Sequence, residues 1–256
     1  MAATGNNIRI GISISDYTLK AVRSEKREDH YTFPNVVSTN LKYPLTVETF
    51  KKRDLIPAIA SDIDSLLTRH MLMGGDVRLA LDKDLVLLKT LLVDDDLTDT
   101  ELSEHVEWEM ENFLISPRNE YHVGFEKIAS LTRGLYNILL VCARVTIINY
   151  IRDVFRQTSF NLTSVDVDML AIARALKTLY YEKAQGLSAS VLFAPDGASL
   201  LLLLNGEILS WSDITASDEN RHIFYKQNDA LVHRITNELD AKCKSLHIEK
   251  GIKTLF

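Results

Sequence analysis

Two segments of the chain carry residue types that could hold a phosphate group. Each runs from an apolar strand through a small polar turn into a second apolar strand. In such turns a glycine lets the backbone approach a phosphate, and a carboxylate can join the shell of a magnesium ion. The residues of interest are Gly11, Ser13, Ser15, Asp16 and Thr18 in the first turn, and Ala194, Asp196 and Gly197 in the second.

Composition excludes several other classes of protein. The 256 residues are 46% hydrophobic and 25% charged, which is typical of an ordered globular chain. The net charge is -6 and no basic run occurs, so nucleic acid is not the expected ligand. The two cysteines, Cys142 and Cys243, lack metal-ligand spacing, and Cys142 lies in an apolar run typical of a core. The longest apolar runs fall short of the ~20 residues that cross a bilayer. We therefore expect a soluble, cytoplasmic protein without direct membrane insertion.

The order of predicted elements indicates a mixed α/β fold built from two related halves. Three strands are followed by helix–strand alternation, and a second set of three strands begins near residue 189. The predicted strands are 8–14, 18–23, 31–38, 77–81, 86–92, 123–128, 136–143, 163–167, 189–195, 199–204, 207–212 and a last short one in 251–256. The predicted helices are 54–73, 98–113, 146–157, 169–183 and 219–246.

The helix predicted at 98–113 has an apolar stripe and a highly acidic remainder. Thr98 and Glu101 have the spacing of a capping box, which predicts a helix start at Thr98. The carboxylates and His105 spread around the polar faces without a metal-binding motif, which favours a solvated surface. Trp108 either packs into this part of the fold or lines a partner groove, and residue statistics favour packing.

Four blocks of the sequence, in the same order, resemble the type IV pilus assembly protein PilM, an actin-like relative of FtsA. They are Gly11–Ser15 continuing to Lys20-Ala21-Val22, the segment 92–125, Leu139–Arg144, and the second turn at Val191–Ser199. The resemblance implies an actin/RNase H-like (Hsp70-type) duplicated fold with an inserted α+β subdomain. Its implied boundaries are 1–77 and 131–186 for the first half, 78–130 for the insertion and 187–256 for a reduced second half.

The departures from the family pattern predict that nucleotide chemistry is lost. The family places an aspartate where this chain has Ser13 and again where it has Ala194, so two magnesium ligands are missing. Pro195 has no N–H for a phosphate, and Asp196 would repel one. A like-charge pair at ~4 Å costs about 4 kcal/mol at an effective dielectric of ~20. We therefore predict a pseudo-ATPase without ATP, magnesium or catalytic residues.

By resemblance, the chain is a cytoplasmic adaptor of a pilus or related envelope-spanning machine. It would lie at the inner face of the cytoplasmic membrane and bind the N-terminal tail of a bitopic, PilN-like partner. Two alternatives remain: an active ATPase or nucleotide-gated switch with an atypical magnesium site, and the cytoplasmic domain of a GspL-like type II secretion protein. The predicted partner-binding residues are Val86, Leu88, Val106, Met110 and Phe113.

Overall fold

The computed structural model describes residues 8–27, 30–72, 75–194, 197–215, 228–248 and 252–256. Within those ranges the chain forms strands and α-helices in alternation, as the sequence predicted. In chain order they are β1 (Ile8–Arg27), β2 (His30–Leu45), α1 (Ile56–Arg69), β3 (Gly75–Leu81), β4 (Val86–Asp94), α2 (Asp99–Phe113), β5 (Tyr121–Ile128), β6 (Leu135–Arg144), α3 (Val145–Phe155), β7 (Phe160–Val167), α4 (Asp168–Leu179), β8 (Leu187–Ala194), β9 (Gly197–Leu204), β10 (Glu207–Thr215), α5 (Asn228–Ser245) and β11 (Thr254–Leu255).

The first sheet has the order β2-β1-β3-β7, and β1 contributes two antiparallel limbs to it. The Ser24 hydroxyl donates to the Arg9 carbonyl at 3.3 Å although 15 residues separate them, so β1 doubles back on itself. The first limb pairs parallel to β3 and the second pairs antiparallel to β2. The predicted strand–turn–strand at 8–23 and the third strand after it are confirmed.

A core of aliphatic side chains packs this sheet against α1 and α3, and Ile63, Leu67 and Leu79 are almost completely buried in it. The sequence predicted that α1 runs to Met73, but the helix ends at Arg69. Met71 adopts the left-handed conformation, and the Leu72 N–H reaches back to the Leu67 carbonyl at 3.0 Å. This is a Schellman arrangement. It places Leu72 fully inside the core, which offsets the unfavourable backbone conformation of Met71.

The second sheet repeats the strand order of the first, as β10-β9-β8-β11. All four central residues of β9, 200–203, are at most 1% exposed, so both faces of the strand are covered. Asn205 and Gly206 both have positive φ, which is the two-residue turn that a tight hairpin prefers. A Cβ on Gly206 would meet the Lys177 side chain at 3.0 Å. The predicted last strand is confirmed as β11, parallel to β8.

A third, three-stranded sheet has the order β4-β6-β5 and belongs to the predicted insertion. Because β6 is its central strand, this sheet extends past residue 130, where the sequence analysis ended the inserted subdomain. The predicted helix at 169–183 ends earlier, at Leu179, and the described part of the helix predicted at 219–246 begins at Asn228.

The chain divides into two compact units, each with its own apolar core. No α-helix in the described ranges is both long and apolar enough to span a membrane. The first unit takes in the described residues up to Lys89 with Asp99–Phe125 and Leu140–Asp168, and the second takes in Thr90–Thr98, Glu126–Leu139 and the described residues from Met169 onward.

Candidate functional site

The first polar turn is a tight reversal with its acid facing solvent. Asp16 adopts a φ of 51° at the reversal, and it is exposed together with Tyr17. Ser13, Ser15 and Thr18 are half-buried on either side of it. Aspartate tolerates this left-handed conformation better than most residues, which suits it to the turn. The side chain of Asp16 therefore projects from the turn, beyond the strand positions of the two serines.

Gly11 is half-buried in the first limb, directly beside the second limb. A Cβ built on Gly11 would lie 3.3 Å from the Cγ1 atom of Val22. This distance is shorter than an ordinary van der Waals contact, so the close approach of the two limbs accounts for the glycine.

A carboxylate that the sequence analysis did not select receives the Ser15 hydroxyl. Ser15 donates to Oδ2 of Asp82 at 2.5 Å, and the Asp84 backbone N–H donates to Oδ1 at 3.0 Å. Asp82 follows β3 directly, and β3 runs parallel to the limb that carries Ser15. Carboxyl ends of parallel strands meet at one edge of a sheet, and this rule could have pointed to Asp82.

The carboxylates near this turn are those of Asp16, which is exposed, and Asp82. Ser13 offers a hydroxyl where the resemblance implied an aspartate, and Asp82 already accepts a hydrogen bond on each of its oxygens. Across the described ranges, no three His, Cys, Asp or Glu side chains are grouped so that they could hold a metal ion.

The second polar turn closes the β8–β9 hairpin, in which Ala194 pairs with Gly197. Gly197 is buried, whereas Asp196 and the side chain of Ala194 lie outside the described residues. Next along β9, the Ser199 hydroxyl donates to the Asp213 carboxylate at 2.7 Å across the β9–β10 pair. The hairpin itself is confirmed, and the part assigned to Asp196 stays a prediction.

In the inserted subdomain, Lys89 of β4 connects to α2 through two contacts. Its ammonium forms an ion pair with Glu109 at 2.8 Å and lies 5.3 Å from the centre of the Phe113 ring. Val106 and Met110, on the same stripe of α2, are each only 3% exposed. The helix therefore covers the face of β4 from which Lys89 projects.

The five predicted partner-binding residues divide between two faces of β4. Since successive side chains of a strand point to opposite faces, Val86 and Leu88 project away from the face that α2 covers. Val86 is half-buried against the main core, and Leu88 is also half-buried. Phe113 is the one half-buried member of the set on α2, because Val106 and Met110 are enclosed.

The expectation that Trp108 packs into the fold is wrong, because its side chain is 60% exposed. The stripe that faces β4 is offset from it by two residues, at Val106 and Met110. Trp108 stacks instead on His105, with the ring centres 6.3 Å apart. Glu104, Glu107 and Glu111 are exposed, as the predicted solvated face requires, whereas Glu109 and His105 of the same prediction are half-buried.

Cys142 is a core residue, as predicted, and is 1% exposed within β6. Burial raises the pKa of the Cys142 thiol, and the positive charge of Arg118 lowers that pKa only in part. A thiol held in its neutral form is a poor nucleophile. The cysteine therefore contributes packing at β6.

The repeated order of a three-strand meander followed by a parallel strand, together with the inserted sheet, is the architecture of an actin-like fold. Within that class, the family model for the type IV pilus assembly protein PilM matches residues 11–196. The chain belongs to this family, and the resemblance seen in the sequence is confirmed.

The chain is also similar to solved structures of low sequence identity. One is a PilM-PilN type IV pilus biogenesis complex, at 20% identity and a TM-score of 0.70, covering 96% of this chain and 74% of that one. Another is the cytoplasmic domain of EpsL, an inner membrane component of the type II secretion system of Vibrio cholerae. It shows 10% identity and a TM-score of 0.48, covering 83% of this chain and 76% of that one. A search of curated proteins finds no match.

Proposed function

We propose that this chain is a non-catalytic adaptor of a type IV pilus machine that holds the cytoplasmic tail of an inner-membrane protein. Membership of the PilM family and the likeness to a structure solved as a PilM-PilN complex support a PilN-like partner. The partner would hold the chain at the inner face of the cytoplasmic membrane. The adaptor needs no nucleotide for this role, only a stable surface.

The observation that carries the non-catalytic part is the Ser15–Asp82 hydrogen bond. A carboxylate at the carboxyl end of β3 is the group best placed to replace the missing acid of the first turn. Each of its two oxygens accepts a hydrogen bond, one from Ser15 and one from the Asp84 backbone, so a metal that bound in place of either donor would have to displace it. Charge-assisted hydrogen bonds of this kind contribute about 1.5–3 kcal/mol each, which opposes that displacement.

The half-buried residues of the predicted groove are the ones that a partner tail can contact. Leu88 projects from the face of β4 opposite α2, and Phe113 is the last residue of α2, with its ring centre 5.3 Å from the Lys89 ammonium. An extended tail gains affinity by placing a few apolar anchors on such residues and by backbone hydrogen bonds. Val106 and Met110 contribute indirectly, because they fix α2 against the sheet.

Calorimetric titration with the N-terminal cytoplasmic segment of the PilN-type protein of the same organism tests the proposal. We expect Leu88→Asp and Phe113→Asp to weaken binding of this peptide at least about tenfold, since each buries a charge in an apolar contact. Leu131→Asp is the matched control, because Leu131 is a 47% exposed leucine outside the groove. Unchanged affinity in both variants would show that the tail binds elsewhere, and no binding by wild type would contradict the adaptor role.

A further inference from the structure

Helix α2 carries an unusually high concentration of negative charge. Its 15 residues include six acidic side chains and no Lys or Arg, so the helix carries a formal charge of -6. The entire chain of 256 residues also carries -6. The rest of the molecule is therefore balanced, and its excess charge resides in one helix. The six are Asp99, Glu101, Glu104, Glu107, Glu109 and Glu111.

The charges surround an exposed aromatic ring on the outer face of α2, defined here by Glu104, Glu107, Trp108 and Glu111. Glu104 lies four residues before Trp108 and Glu111 three residues after it, so both flank the indole on one side of the helix. Trp108 is 60% exposed. Glu104, Glu107 and Glu111 form no ion pair with any residue that the structure describes, whereas Glu109 is paired with Lys89.

Three features of the α2 sequence are unfavourable for the helix in isolation. Glu104 and Glu107 are three residues apart and Glu107 and Glu111 four apart, and like charges at these spacings repel across a helix surface. The last turn holds no basic residue although its free carbonyls favour a cation. An exposed indole leaves apolar area in water. Packing does not demand them, because Val106 and Met110 anchor the opposite face.

We propose that the outer face of α2 docks a lysine- or arginine-rich segment of another protein, with one apolar side chain seated on Trp108. Cations near Glu104, Glu107 and Glu111 would relieve the repulsion, and an indole attracts both cationic and apolar groups. Departures from local helix rules concentrate at functional sites, and here the like-charge spacings and the exposed indole fall on one face. The surface goes beyond the proposed function, since it shares neither Leu88 nor Phe113 with the tail-binding residues.

The chemistry of the face selects this occupant over others. Nucleic acid and anionic lipid would be repelled by the carboxylates. A bound metal ion is disfavoured, because no group of three ligating side chains occurs among the described residues. A second copy that docked through its own α2 would bring six further carboxylates to the face. A cationic protein segment is the partner whose charge and apolar content match the face.

Fluorescence of Trp108 reports directly on the site. The chain has two tryptophans, so Trp211→Phe leaves Trp108 as the sole emitter. The probe is a peptide of alternating lysine and serine with one central leucine. We expect it to shift the Trp108 emission to shorter wavelength in a saturable, salt-sensitive manner. Peptides with glutamate for lysine, or serine for the leucine, should bind more weakly by about tenfold or more. Equal binding of the glutamate peptide would overturn the proposal.

Binding of a fluorescein-labelled form of the same peptide to substituted proteins distinguishes binding at this face from attraction to the net charge of the chain. Trp108→Ala should weaken binding about thirtyfold, as for other central aromatic anchors. Its control is Tyr181→Ala, a residue 62% exposed in the other unit, which should bind as wild type does. The double charge reversal Glu104→Lys with Glu111→Lys should abolish binding. Its control is Glu182→Lys with Asp240→Lys, which makes the same change of charge elsewhere.

Two results would contradict the account of this face. Equal losses in the site variants and their controls would mean that the peptide responds only to net charge. A concentration-dependent dimer of the wild type that Trp108→Ala disrupts would instead make a second copy the occupant. Circular dichroism of each variant confirms that α2 remains folded. Titration with the PilN-type segment is a separate measurement, so failure of one proposal leaves the other standing.

Discussion

The two three-strand meanders of this molecule share a strand order and differ in their polar residues. In the first, two limbs of β1 and then β2 lie beside the parallel strand β3. In the second, β8, β9 and β10 are arranged in the same way beside β11. The first meander ties its turn to the parallel strand through Ser15 and Asp82. The second forms its hydroxyl–carboxylate contact between antiparallel neighbours, Ser199 and Asp213.

This difference distinguishes the apolar strands, which maintain the fold, from the polar turns, to which the resemblance assigns nucleotide binding. The apolar strands alone reproduce the repeated order, because each limb buries its inner face whichever residues form the turn. The turns are free to change, and here the Ser15 hydroxyl of the first turn bonds to Asp82 within the protein. A phosphate-binding hairpin needs these groups to face a ligand. The Ser15–Asp82 contact therefore supports the proposal of a non-catalytic scaffold.

The largest expected effect comes from the shared apolar part of the meanders. Leu19 is completely buried in the first and Leu200 is 1% exposed in the second. We expect Leu19→Ala and Leu200→Ala each to lower the free energy of unfolding by about 2–5 kcal/mol, from lost burial and the cavity left behind. Urea unfolding followed by circular dichroism measures this, with exposed Lys20→Ala as control. A cost below about 1 kcal/mol at either leucine would break the parallel.

A smaller loss is expected at the polar link of the first meander. Asp82→Ala leaves both the Ser15 hydroxyl and the Asp84 N–H without their acceptor, so we expect a loss of about 1–3 kcal/mol. Ser15→Ala and the double variant complete a mutant cycle in the same unfolding assay. Additive losses would show that the two groups do not interact, and would remove the argument that Asp82 is occupied.

The smallest effect is expected at the polar link of the second meander. Ser199 and Asp213 form a cross-strand pair, and Asp213 is exposed to solvent. Pairs of this kind contribute about 0.2–1 kcal/mol, so Asp213→Ala should cost less than Asp82→Ala. The ratio of the stability losses in Asp82→Ala and Asp213→Ala measures how far the two meanders differ in their dependence on polar contacts. A greater loss at Asp213 would mean that the second meander, not the first, depends on its polar contact.

The sequence predicted the strands well because each is an apolar run between polar turns, from residues 8–14 through to β11. Helix ends were less predictable. The stripe of α1 continues past Arg69, and only the burial of Leu72 allows Met71 to take a left-handed backbone. The end of α1 is therefore set by a contact between Leu72 and the core, and the pattern of a single sequence does not reveal such a contact.

The candidate site was predicted only in part, for two physical reasons. Asp82 lies 67 residues from Ser15, and only the parallel pairing of their strands brings them together. The partner surface combined residues from both faces of β4, although strand alternation would have separated Leu88 from the side that α2 covers. Trp108 was expected inside because aromatics usually are, whereas Val106 and Met110 already fill the inner stripe.

Thermal unfolding with and without millimolar Mg-ATP tests the central claim most directly, namely that the polar turns no longer serve a nucleotide. A ligand at 100 times its dissociation constant would add about 2.7 kcal/mol to the folded state and raise the unfolding midpoint by several degrees. The account predicts the same midpoint in both conditions. A saturable rise that requires both magnesium and ATP, and that Asp16→Asn or Asp196→Asn alters, would contradict it and restore the nucleotide-gated alternative.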